Sequence, residues 1–430
     1  MIERLLTAVY AREPHVKVVA AVTGGGVSVA ESLFRPGSSS TMLHFAVPYS
    51  RASLQSFLSS TPSTSSKLKF CSAGTSERMA LAAWKQANEI TRQEAEEDDA
   101  QAAATLSNTL KRFRASLGIA CTAGLATNYP KKGPHECFLS ICQARPMSKS
   151  NKFLRLQCET YHLQLDKTLG RSRTEEDHIV SRWLVYLLAK ATDVDSDTCD
   201  AFHAELISAQ TGGDTIVKLT SDGEITSSSD PLHDICSGKS DGLMSVAFLP
   251  ERTQDGIAGA TVATQGFDFR GLILPGSFNP LHKGHVDLAR VAQQLLKSQT
   301  GIELPVAFEL AVSNADKVTN TTLFGQKAEL LPGCAFVIGA DTAVRIVDKK
   351  YYDMDEHKMV LALDHIARNN CSFVVAGRFD NKVENRFISA DEVLDKCVPP
   401  VFRHLFIPLP ECAFRNDISS TEIRKQMATL

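Results

Sequence analysis

No two of the 11 cysteines stand in a Cys-x-x-Cys spacing, and their number is odd. That excludes a zinc-ribbon pattern and a fully paired disulfide framework, and leaves buried free thiols as the expectation. A surplus of one charge is also lacking. With a net charge of −3 and a pI near 6.5, the chain has no global basic field to draw it to nucleic acid or to an anionic membrane. Long apolar runs are missing as well. No segment approaches the roughly 20 residues needed to span a bilayer, and the start, Met1-Ile2-Glu3-Arg4, leads into a short amphipathic stretch rather than a secretory signal. The expected compartments are the cytosol and the nucleus. Neither a resident metal site nor a nucleic-acid or membrane partner is expected.

What is present is an ordinary soluble composition, 43% apolar and 22% charged over 430 residues, long enough for more than one domain. Its most informative stretch is GLILPGSFNPLHKGH, Gly271 to His285. The apolar run Leu272 to Leu274 predicts a strand. Gly276, Ser277, Phe278, Asn279 and Pro280 predict a tight loop, and His282 and His285 fall on the first turn of a helix, facing the same way. Free N–H groups and the positive end of the helix dipole make that start a place for polyphosphate.

Downstream, Phe308 to Lys317 reads as a buried strand ending in the polar residues Asn314 and Lys317. The run Ala335 to Thr342 repeats the arrangement, with Gly339 permitting close backbone approach and Asp341-Thr342 opening a helix. Asp341 either binds a ribose hydroxyl or caps that helix. A further strand, Cys371 to Ala376, ends at Gly377-Arg378. The chain closes with Ile418-Ser419-Ser420-Thr421-Glu422-Ile423-Arg424, a helix start whose hydroxyls and guanidinium either hold phosphate or form an ordinary capping box of Ser419 with Glu422.

Together, GSFNPLHKGH and ISSTEIR resemble the signatures of the HxGH nucleotidylyltransferase superfamily. NADK after the second strand and FVIGADTAVR are most similar to its nicotinamide mononucleotide adenylyltransferase branch, in particular a eukaryotic cytidylyltransferase-like group. The resemblance implies a Rossmann-like α/β domain with a parallel sheet over 267–430. It implies attack by a mononucleotide 5′-phosphate on the α-phosphorus of ATP, aided by Mg²⁺, in NAD biosynthesis. The partners would be ATP and a pyridine mononucleotide. His282, His285, Ser420 and Arg424 would be the catalytic residues. Gly276, Ser277, Phe278, Asn279, Gly339, Asp341, Thr342, Ser419 and Thr421 would bind the nucleotide, and Asn314, Lys317 and Arg378 the acceptor. A cytidylyltransferase acting on an alcohol phosphate is the enzymatic alternative. A non-catalytic nucleotide-binding scaffold is the other.

One departure bears on that choice. Between Lys317 and Leu323 stand only Val318-Thr319-Asn320-Thr321-Thr322, where the family pattern has a Pro-Pro-Leu loop, a helix and the next strand. A parallel crossover needs about a dozen residues. One helix of the family is absent, so a sheet face is expected to lose its cover and the acceptor pocket a wall, which weighs against activity of this chain.

The first 190 residues predict a second α/β domain. Lys17 to Tyr49 reads as strand, glycine turn (Thr23-Gly24-Gly25-Gly26), helix, Pro36-Gly37-Ser38-Ser39-Ser40 and a strand ending at Tyr49; further strands follow at Leu117 to Cys121, Cys137 to Cys142 and Phe153 to Leu165. This series is similar to the CinA-like domain, whose active members deamidate nicotinamide mononucleotide. The family's serine and tyrosine fall on Ser39 and Tyr49, but its lysine falls on Leu54. A hydroxyl without a base is a poor nucleophile. The domain is therefore expected to be inactive, and to bind a ligand or mediate homo-oligomerisation. Residues 191–266, rich in Asp, Ser and Gly, are expected to form a partly ordered connector.

Overall fold

The computed structural model describes residues 1–60, 69–129, 131–146, 153–210, 212–219, 245–253, 256–264, 269–278, 280–310, 323–380 and 386–415. The chain forms two α/β units, one from Met1–Glu94 with Leu110–Ser227, the other from Ala95–Thr109 with Ser228–Leu430.

In the first unit, strand β1 (Lys17–Thr23) is apolar along nearly its whole length and buried from Val18 to Thr23. Such a run needs cover on both faces. It lies between β2 (Met42–Ala46) and β3 (Ser116–Gly124), both parallel to it, and the sheet continues antiparallel through β4 (His135–Pro146), β5 (Phe153–Leu165) and β6 (Thr215–Leu219). One face is covered by the helices Ile2–Tyr10, Arg173–Ala191 and Ser196–Ser208, whose Leu5, Leu6, Val180, Leu187 and Phe202 are buried. On the other face the helix beginning at Ala73 brings Ala83 and Ala87 against Val19. A Cβ on Gly118 of β3 would lie 2.1 Å from the Ala80 carbonyl oxygen, so only glycine lets that helix approach.

Two boundaries differ from expectation. Strand β2 ends at Ala46, leaving Tyr49 beyond the sheet, because Thr23 Oγ1 donates to the Pro48 carbonyl at 3.0 Å and turns the chain aside. The helix Ser196–Ser208, a helix-like run within the stretch expected as a connector, buries Cys199, Phe202 and Leu206 in the core of the first unit.

In the second unit five parallel strands stand in the order β10-β9-β11-β12-β15, formed by Val306–Glu309, Leu272–Pro275, Ala335–Gly339, Ser372–Ala376 and Phe406–Leu409 respectively. Two further pairs are antiparallel: β7 (Ser245–Thr253) with β8 (Gly256–Thr264), and β13 (Arg378–Asp380) with β14 (Arg386–Ile388). Alternation assigns the two faces of the parallel sheet. Leu272, Leu274, Val337 and Val374 pack with Ala289, Ala292 and Leu296 of the helix Lys283–Thr300. The intervening Phe336, Phe373 and Phe406 form an aromatic ladder on the opposite face, with ring centroids 6.0 and 4.9 Å apart, capped by Phe324 of the helix Phe324–Leu330.

That helix corrects the expectation of an uncovered face. Phe336 and Phe373 are fully buried beneath it, while Phe308 of the outer strand β10, 42% exposed, is in register with Leu274 on the other face. The strand expected over Phe308 to Lys317 likewise ends at Glu309, with Phe308 unburied; 311–322 lie outside the described residues. Glu309 and Lys327 form an almost completely buried ion pair that ties the end of β10 to the helix Phe324–Leu330.

Candidate functional site

The strand order of the second unit fixes where a ligand can enter. From β9 the chain passes to β10 on one side and returns to β11 on the other, so the adjacent strands β9 and β11 flank the switch point, where the crevice outside their carboxyl ends is the natural ligand site. Their ladder holds two pairs, Leu272 with Ala335 and Ile273 with Phe336, and stops there, whereas β9 and β10 remain paired as far as Pro275 and Glu309. The loop after β9 therefore begins at an opening.

Gly276 donates its N–H to the Glu309 carbonyl at 3.0 Å. Phe278 then adopts φ +43°, a left-handed conformation costing a bulky residue about 1–3 kcal/mol. The conformation folds its ring back so that a Cβ on Gly276 would lie 2.9 Å from it, which is why this position is glycine. The same ring stands edge-on to His285 (5.1 Å, 87°) and against Phe308 (5.3 Å, 69°). Ser277 is exposed beside it.

His282 is the N-cap of the helix Lys283–Thr300, and His285 lies three residues on, its N–H bonded to the His282 carbonyl at 3.0 Å. The imidazoles stack with centroids 3.8 Å apart and planes at 27°. Backbone N–H of His282 donates to His285 Nδ1 at 3.3 Å. In the neutral ring the proton is thus on Nε2, a hydrogen-bond donor. Burial, with the neighbouring His282 adding to it, holds the His285 pKa below the usual histidine value of 6.5. Two stacked imidazoles at a helix start can donate to phosphate oxygens, and an arriving anion would favour protonation of His285.

The other carboxyl ends add Gly339, Asp341 and Thr342 after β11, and Gly377 and Arg378 after β12. A Cβ on Gly339 would meet nothing within 4 Å. Asp341 does not cap its helix: its Oδ1 lies 3.0 Å from Nε of Arg378, both side chains about half exposed. The structure thus brings Gly276, Ser277, Phe278, His282, His285, Gly339, Asp341, Thr342 and Arg378 to the carboxyl ends of neighbouring strands. Asn279, Asn314, Lys317, Ser419, Ser420, Thr421 and Arg424 lie outside the described residues.

Among the described residues no group of three His, Cys, Asp or Glu side chains is placed to hold a metal ion. Mg²⁺ carried in with a nucleotide would keep phosphate oxygens and water as its ligands, the surroundings it ordinarily has. No described helix is long and apolar enough to cross a membrane.

In the first unit Ser39 lies in the 3₁₀ turn Ser38–Ser40 and is exposed, as is Tyr49 at 69%. Leu54, at the resembled family's lysine position, is fully buried. A lysine there would put an ammonium into the core. The glycine turn is also filled. Asp177 accepts hydrogen bonds from the N–H groups of Gly26 (2.6 Å), Val27 (3.2 Å) and Ser28 (2.9 Å). Glu176 accepts from Ala126 N–H at 2.7 Å and meets His135 Nδ1 at 2.7 Å, while Arg173 donates to the Gly24 and Ala126 carbonyls. Sequence reading missed all three. The capping box Ser172/Glu175 marks the start of the helix Arg173–Ala191, but the turns these side chains clamp lie up to 151 residues away.

An all-parallel sheet with a switch-point crevice and two stacked histidines at a helix start defines an α/β domain with its candidate ligand site at the carboxyl ends of the strands. Residues 273–426 match the cytidylyltransferase-like family model. Over the N-terminal part, the chain is similar to solved structures of the CinA superfamily. The protein from Klebsiella pneumoniae 700603 shares 13% identity over 44% of this chain and 94% of that one, with a TM-score of 0.31. CihA, a competence/damage inducible protein from Agrobacterium tumefaciens, shares 16% over 47% and 95%, with a TM-score of 0.29. No curated protein matches the chain.

Proposed function

We propose that the C-terminal unit transfers the adenylyl group of ATP to the 5′-phosphate of nicotinamide mononucleotide or of its nicotinate form, as a step of NAD biosynthesis. A phosphate oxygen of the mononucleotide attacks the α-phosphorus. The bond from that phosphorus to the bridging oxygen breaks, and the electron pair leaves with pyrophosphate. Such a reaction needs positioning and neutralisation of charge rather than a protein nucleophile. The observation that carries the reading is the stacked His282–His285 pair at the start of the helix Lys283–Thr300, beside the open end of β9. Ser420 and Arg424 would complete the set of donors, with Ser419 and Thr421 on the nucleotide. Asn279 would join the loop, and Asn314 and Lys317 would meet the acceptor.

The test incubates the purified full chain with Mg²⁺, either mononucleotide, and ATP or CTP, and measures dinucleotide and pyrophosphate together. Both products with ATP support the proposal, and His285→Ala should then lower turnover by roughly 10²–10³. A clear preference for CTP would replace it with cytidylyl transfer. ATP binding without either product would leave a nucleotide-binding scaffold.

A further inference from the structure

Asp341 and Arg378 hold the carboxyl ends of β11 and β12, adjacent strands of the parallel sheet. Each is suited to a different part of a nucleotide, a carboxylate for ribose hydroxyls and a guanidinium for phosphate. Yet they are bonded to each other, Nε to Oδ1 at 3.0 Å.

Three features make this pair exchangeable. Its side chains are 43% and 57% exposed, so water competes at both ends and the mutual attraction is weak. The backbone carrying Arg378 is firmly held: a Cβ on Gly377 would lie 2.6 Å from the Ile388 carbonyl oxygen, and the Arg415 guanidinium packs over the rings of Phe379 and Phe387 while pairing with Glu411 at 2.9 Å. Only the Arg378 side chain has to swing. Above Gly339, two residues before Asp341, a side chain would meet open space. There is room for a sugar there.

We propose that the Asp341–Arg378 ion pair is a latch opened by the ligand. The polyphosphate of a nucleoside triphosphate takes Arg378, and the released Asp341 accepts a hydrogen bond from the ribose. The inference rests on the proposed function, since it assumes that the crevice takes a nucleotide. It makes Asp341 a competitor for the phosphate half of the ligand and a partner for the sugar half, so its removal has opposite effects on two probes.

The experiment measures binding of Mg²⁺-tripolyphosphate and Mg²⁺-ATP to the full chain by calorimetry, for the wild type, Asp341→Ala and Arg378→Ala. Asp341→Ala should bind tripolyphosphate roughly two- to fivefold more tightly, the scale of a half-exposed ion pair, and ATP more weakly. Arg378→Ala should weaken both. Unfolding curves should stay unchanged, because neither side chain is buried. Tripolyphosphate binding that is unaltered or weaker in Asp341→Ala overturns the latch, even where the wild type makes dinucleotide. The predicted split in a protein that makes none overturns the proposed reaction and leaves the latch standing. Wild-type protein that binds neither probe overturns both.

Discussion

The carboxylate of Asp177 lies 2.6 Å from the amide nitrogen of Gly26 and takes the N–H groups of the next two residues as well. An anion approaching that glycine turn finds its donors already engaged. Burial raises the Asp177 pKa, but the hydrogen bonds from Ser28, Val27 and Gly26 together outweigh it and hold the value below 3.8. A depressed carboxyl pKa stabilises the fold at pH values above the unfolded value of about 3.9, and the contribution is lost as pH falls through the folded value. Asp177→Asn should therefore lower stability by about 1–3 kcal/mol at pH 7. Urea unfolding at pH 7 and near pH 2.5 checks both parts, since the gap between variant and wild type should shrink in acid.

His285 is held toward its neutral form in the free protein, whereas a bound polyphosphate favours imidazolium. Nucleotide binding should accordingly take up protons, and affinity for ATP should rise as pH falls from 8 to 6. Calorimetry in buffers of different ionisation enthalpy reads the uptake directly. In His285→Ala it should be reduced; uptake equal to that of the wild type would remove His285 from the site.

A methyl group on Gly276 would collide with the Phe278 ring at 2.9 Å, and that ring is packed against His285. Gly276→Ala should move the ring and, through it, the imidazole. Turnover or ATP affinity should fall at least about tenfold, while unfolding free energy changes by about 1 kcal/mol. A large loss of stability with unchanged ligand binding would show the loop to be structural only.

Lys327→Met leaves the Glu309 carboxylate buried without its ammonium, a situation that costs about 3–5 kcal/mol. The double variant Glu309→Leu with Lys327→Met should recover most of that loss. Denaturant unfolding of the two single variants and the double closes the cycle. Independent, additive losses would show that the pair is not coupled.

Period and punctuation made much of this molecule legible. Leu272 to Leu274 and Ala335 to Ile338, continuous apolar runs each followed closely by a glycine, placed β9 and β11 because buried parallel strands need apolar side chains on both faces. His282 and His285 were legible for the same local reason, being three apart at a helix start. Asp177 and Glu176 were not, since a carboxylate one turn into a helix looks the same whether it faces water or a distant turn. Phe308 failed for a different reason. Its strand reads as apolar, and only the strand order, set by contacts far along the chain, puts it at the outside. The burial of Leu54 was not legible either, because the sequence around it does not show that its position lies in the core and has no room for a charge.

Among the described residues, the two outer strands of the parallel sheet are poor templates for another strand. β10 offers only four residues, and β15 has Pro408 in its middle, which removes a backbone donor from the ladder. Short or proline-bearing rims are how sheets resist edge-to-edge association. Self-association of this unit, where it occurs, should thus proceed through side-chain surfaces and leave the sheet at its own width, a difference that backbone hydrogen exchange at the rim strands would register.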